Sequence, residues 1–89
     1  MLCMEFEFDP AKSAANKRKH GIDFEETRQL WNDDNGFEFA GSFESETRSL
    51  IVGKIGVVYW TAIVTYRTNR VRIISVRRAR DLEIACYEG

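Results

Sequence analysis

The chain has 89 residues, 44% of them hydrophobic and 30% charged, with one proline and a formal net charge of −1. This composition excludes a disordered or fibrous chain and predicts one domain over residues 1–89 with one modest core. The longest nearly apolar run, IGVVYWTAIVTY (55–66), is too short to span a bilayer and lacks the basic start and small-residue cleavage site of a signal peptide.

The segment MEFEF (4–8) alternates, with Met4, Phe6 and Phe8 on one side and Glu5 and Glu7 on the other, which predicts a short strand. The pair DP that follows supplies Asp9 as a helix N-cap and Pro10 at the first helical position, and Gly21 is placed to end that helix after His20. Ala11, Ala14 and Ala15 form a small-residue face expected to pack closely on a sheet. Lys12, Asn16, Lys19 and His20 fall on one polar face. DFEE (23–26) has the capping-box pattern and predicts a second helix reaching about Trp31, with Phe24, Leu30 and Trp31 buried. NDDNG (32–36) closes it with turn-forming residues.

Strand chemistry takes over from there. FEFAG (37–41), TRSLIVG (47–53), VVYWTAIVTY (57–66) and RVRIISV (70–76) predict four strands, with GKIG (53–56) and Thr68–Asn69 as hairpin connections. ARDLEIACYE (79–88) predicts a terminal helix whose apolar stripe is Leu82, Ala85 and Cys86. The order β-α-α-β-β-β-β-α implies an α+β fold, with two N-terminal helices and a C-terminal helix packed on an antiparallel sheet. Cys3 and Cys86 have neither metal-ligand nor CxxC spacing, as expected of inert thiols in a reducing cytosol. MLCM leaves residues 1–3 as an expected extension before a start at Met4.

The charge is unevenly placed. Residues 1–60 hold seven basic and eleven acidic side chains, residues 61–80 hold six arginines and no acid, and residues 81–89 hold three acids. A basic block flanked by acidic stretches points to a polyanion site. Strict alternation over residues 70–77 puts Arg70 and Arg72 on one face, about 7 Å apart from the rise of two residues, and Arg77 on the other. Arg77, Arg78 and Arg80 extend the patch, which is expected to be exposed and to matter little for stability. Guanidinium groups suit bidentate phosphate contact; ordinary ion pairs with the upstream acids are the competing reading. His20, the only histidine, is either a proton carrier or a helix C-terminal cap. No metal-ligand set, nucleophile triad or glycine-rich phosphate loop is apparent in the sequence.

FEFDPAKSAANKRKHGIDFEE and RVRIISVRRA together resemble the two signature segments of the BrnT toxins, in the right order and over nearly the whole chain. The second is similar to that family's RIRIISARRA. YRTN (66–69) stands where the family usually reads ERGD, which aligns Arg67 with a family arginine. The resemblance implies a RelE-like fold and a cytoplasmic, metal-independent endoribonuclease toxin without cofactor. It also implies neutralisation by a BrnA-like ribbon-helix-helix antitoxin, through which alone operator DNA is bound. Carried over residue by residue, it implies Arg67, Arg77 and His20 as catalytic residues. Lys12, Asn16, Lys19, Arg70, Arg72 and Arg78 then contact RNA. The chemistry is self-consistent, since RNA carries its own nucleophile in the 2′-OH and needs mainly alignment and charge stabilisation. Two alternatives remain: a non-catalytic module docking an acidic partner or nucleic acid, and an inactive toxin-like corepressor subunit.

Overall fold

The computed structural model of the protein describes residues 5–43 and 46–89, the side chains at 42, 43 and 46 excepted; Cys3 and Met4 lie outside the described residues. Strand β1 (Glu5–Glu7) leads through Asp9, whose carboxylate accepts the Ala11 N–H, into helix α1 (Pro10–His20). Gly21 ends α1 in the left-handed region at φ 85°, and its N–H bonds to the Lys17 carbonyl. Asp23 and Glu26 close the expected capping box on α2 (Phe24–Thr27). That helix lasts about one turn before tightening into a 3-10 segment (Arg28–Asn32), where the sequence reading places one continuous helix.

Strands β2 (Phe37–Phe43), β3 (Glu46–Ile55), β4 (Val58–Arg67) and β5 (Arg70–Arg78) form an antiparallel meander, and helix α3 (Asp81–Glu88) follows. The sheet order is β1-β5-β4-β3-β2. The α+β class and the order of elements are those predicted. One pairing differs from the expected antiparallel sheet: β1 joins β5 in parallel, Glu5 opposite Arg70 and Glu7 opposite Arg72. The cause is connectivity, because β1 enters the sheet at its far edge after the helices and the whole meander have intervened.

Two turns set the register. Thr68 and Asn69, with φ of 24° and 65°, make the predicted tight turn between β4 and β5. The β3–β4 turn is narrower than GKIG suggests. Ile55 pairs with Val58, leaving only Gly56 (φ 62°) and Val57 in the loop. Gly53 therefore lies inside β3, where a Cβ would sit 3.1 Å from a Leu30 methyl. Glycine at this position lets the 3-10 segment close onto the sheet.

The core lies between one face of the sheet, here called the back, and the layer made by α1, α2 and the 3-10 segment, while α3 packs on the opposite face. Phe24 and Leu30 are buried against Ile51, Ala62, Val64, Val71, Ile73 and Val76. Trp31 is half-buried, its ring edge-to-face with Phe6 at 4.8 Å.

Two expected faces are reversed. Ala11, Ala14 and Ala15 are exposed, and α1 turns Ser13 and Asn16 inward. Polar residues win there because backbone groups at the junction need partners: Ser13 Oγ accepts the Phe24 N–H at 2.9 Å. The Asn16 amide donates to the Ile22 carbonyl at 2.9 Å and accepts the Val76 N–H at 3.2 Å. Among the described residues no strand borders the outer edge of β5 beyond Arg72, so that N–H would otherwise be stranded. On α3, Leu82 is 76% exposed and Ala85 and Cys86 also face outward, while Glu83 and Tyr87 turn inward.

Candidate functional site

The other, front face of the sheet carries the arginines. Cross-strand partners share a face, and one irregularity decides which side chains meet there. Ile63 pairs with Ser75 and Val64 with Ile73, so Ile74 has no partner and the alternation of β5 resets at a bulge. Arg70, Arg72, Ser75 and Arg77 consequently share the front, and Val71, Ile73, Val76 and Arg78 share the back. Strict alternation had put Arg77 on the face opposite Arg70 and Arg72. The inserted residue reverses that expectation.

Arg67 and Arg70 face each other across the Thr68–Asn69 turn and line a shallow groove with Glu7. Arg72 stands one step further along, opposite Thr65. Acids on β1 approach this trio loosely: Arg70 lies 3.8 Å from Glu5 and 3.7 Å from Glu7, and Arg72 lies 4.0 Å from Glu7. With Arg70 56% exposed, these contacts contribute little, roughly 0–1 kcal/mol each. The trio stays accessible to an anion from solvent.

Arg77 is held very differently. Its guanidinium makes two hydrogen bonds to Glu83, at 2.8 and 2.9 Å, in the fork geometry of a strong ion pair. Glu83 also accepts from the Thr61 hydroxyl at 2.9 Å and the Arg80 N–H at 2.7 Å. The Arg77 bond and then these neighbours overcome the cost of burial and hold the Glu83 carboxyl down at about 2. The same pairing raises Arg77. Arg77 and Glu83 are 19% and 11% exposed, so Arg77 is a fastening point of α3 and not the freely exposed patch residue that the sequence suggests. Glu83 itself escaped the sequence reading, although its position three residues after the Arg80 cap was a usable sign.

The remaining candidates lie elsewhere. Arg78 packs over the Trp60 ring at 5.4 Å, on the back. Lys12 and Lys19 are exposed on α1 and His20 is half-buried at its end, all in the helical layer. The Asn16 amide is occupied by the two backbone bonds described above, which leaves its side chain buried and engaged where the sequence reading offers it to RNA. The structure thus gathers Arg67, Arg70, Arg72 and, behind Glu83, Arg77, and it separates them from the α1 set. Among the described residues no three His, Cys, Asp or Glu side chains are grouped to hold a metal ion.

Such a face can gather phosphates and offset negative charge that develops on one of them. No curated protein matches the chain. A family model does match, that of the ribonuclease toxin BrnT of type II toxin–antitoxin systems, over residues 8–83. That span begins just after β1 and runs into α3, taking in the hairpin that carries the arginines, and it places the chain in the BrnT family of ribonuclease toxins.

Proposed function

We propose that this protein cuts RNA by in-line attack of a ribose 2′-OH on the adjacent phosphate, without a metal ion: the O2′–P bond forms as the P–O5′ bond breaks, and the hydroxyl proton passes through water to the departing O5′, which leaves as a 5′-OH. The family makes it a ribonuclease toxin with RNA as target and an antitoxin as partner. The observation that carries the mechanism is the trio Arg67, Arg70 and Arg72, gathered at one end of the β4–β5 hairpin, with only loose acid contacts among the described residues. In this reading Arg70 and Arg72 seat the phosphates and Arg67 stabilises the charge growing on the phosphoryl oxygens, an effect typically worth about 10²–10³ in rate. Arg77 contributes by engaging the substrate only where phosphate displaces Glu83 from its fork. His20, Lys12, Lys19 and Arg78 take outlying roles, the first three in the helical layer and Arg78 on the back of the sheet. The protein acts in the cytoplasm, where its substrate is. Its antitoxin is a BrnA-like ribbon-helix-helix protein that lays an acidic segment over the trio and supplies all contact with operator DNA.

The experiment is direct. Purified protein is incubated with RNA and with a DNA strand of the same sequence, in excess EDTA. RNA should be cut to 2′,3′-cyclic phosphate ends and the DNA left intact, because DNA lacks the nucleophile. Cutting that requires a divalent ion, or that consumes DNA equally, would sink the mechanism. Binding without cutting would favour the non-catalytic module.

A further inference from the structure

Next to the arginines, the front face carries a row of apolar side chains that phosphate chemistry does not use. Phe39 pairs with Leu50, Leu50 with Ile63, and Ile63 with Ser75, so the row crosses β2, β3, β4 and β5 in register. It stands one step along the strands, about 7 Å, from the row of Arg72. Phe39 is 40% exposed, and its ring is braced edge-to-face by Phe37 at 5.0 Å.

From this juxtaposition we propose that Phe39 is a stacking platform for an unpaired base of the RNA, with Leu50 and Ile63 as its apolar floor. The proposal rests on the ribonuclease reading above and adds a residue that shapes substrate choice. Three strand spacings of about 4.8 Å and the step along the strands put Phe39 about 16 Å from Arg72, so the stacked base lies about two nucleotides from the phosphate there. Base stacking on an aromatic ring tolerates every base and strengthens with ring area, so the site favours single-stranded RNA with a purine at that position. The row is only three apolar side chains wide and has guanidinium groups along one side. That suits a planar base with a phosphate attached, whereas a protein segment would need a broader contact to be held.

The test uses the purified chain and short single strands of 2′-O-methyl RNA, which bind but cannot be cut. Each strand is prepared intact and with one base removed at successive positions. Phe39→Leu keeps the apolar volume and deletes the ring; it should weaken binding of the intact strand at least about fivefold. It should leave unchanged the binding of the strand that lacks the stacked base. Phe39→Tyr should bind like the parent protein, which separates loss of the ring from loss of the fold. With cleavable RNA, the loss should fall mainly in KM. Equal weakening of intact and base-free strands would overturn the proposal, as would parent-like binding by Phe39→Leu. A variant that binds RNA normally but no longer holds the antitoxin would also overturn it, by assigning the row to a protein. Because the strands are uncleavable, absence of any RNA cutting would count against the ribonuclease mechanism alone.

Discussion

Asn16 makes the sharpest case at the scale of a single residue. Its amide closes two backbone groups that belong to different elements, the Ile22 carbonyl after α1 and the Val76 N–H on the free edge of β5. Replacing it by alanine strands both in a buried setting, each at a cost of about 1–3 kcal/mol. Asn16→Ala should therefore lower stability by roughly 2–6 kcal/mol, measured as a shift of the urea midpoint at an unchanged slope. A shift below about 0.5 kcal/mol would mean that water replaces the amide without loss. Helical periodicity alone does place Asn16 beside Lys12 and Lys19. It carries no information about an unpaired strand edge arriving from sixty positions away in sequence. Arg77 was hidden for a related reason: a bulge at Ile74 depends on how β4 and β5 register, and no residue type announces it.

Among the elements, α3 is attached by hydrogen bonds and charge more than by apolar contact. Glu83 holds Arg77 and Thr61, the Tyr87 hydroxyl donates to Asp33 at 2.7 Å, and the Tyr59 hydroxyl donates to Glu88. The Tyr59 and Tyr87 rings add an edge-to-face contact at 5.3 Å. An attachment of this kind is sensitive to acid. Glu83 has a folded-state value of about 2 against an ordinary 4.5, so its contribution is complete above about pH 4.5 and is lost as pH falls towards 2. Its size is on the order of 3 kcal/mol at neutral pH. Thermal unfolding of the parent protein and of Glu83→Gln, run from pH 7 to pH 2, should show the parent's advantage shrinking across that window. A gap that stays constant with pH would refute the account. The strands, the hairpins and the capped ends of α1 and α2 were all legible, because local signals write them: alternation, Asp-Pro, the capping box, turn residues. The inward side of α3 was not, because its apolar stripe points away from the sheet while a carboxylate goes in. A tertiary ion pair overrode the pattern.

Across the whole molecule, the near-neutral total charge conceals two opposed rows. The parallel register of β1 lays Glu5 and Glu7 beside Arg70 and Arg72, so acids temper the cationic face without closing it. Glu7→Gln should raise RNA affinity about two- to fivefold and change stability by less than about 0.5 kcal/mol. Titrations at several salt concentrations would check this, since the gain should fade as salt screens the face. An affinity that drops would instead make Glu7 a positioning group for the arginines. The family resemblance singled out the arginine segment in the sequence, and the chain does belong to that family. The division of its members between an open trio and one tethered guanidinium became visible only in three dimensions.

The pairing of β1 with β5 also bears on how the protein comes into being. Chain synthesis proceeds from the N-terminus, yet β1 pairs with residues 70–72, far along the chain. The Val76 N–H that Asn16 awaits is made later still. Contacts so distant in sequence form late and slowly, and a growing chain that stops short of β5 can neither seat its first strand nor display the arginine trio. The arginine surface thus takes shape in one late step of biosynthesis, once β5 has been made.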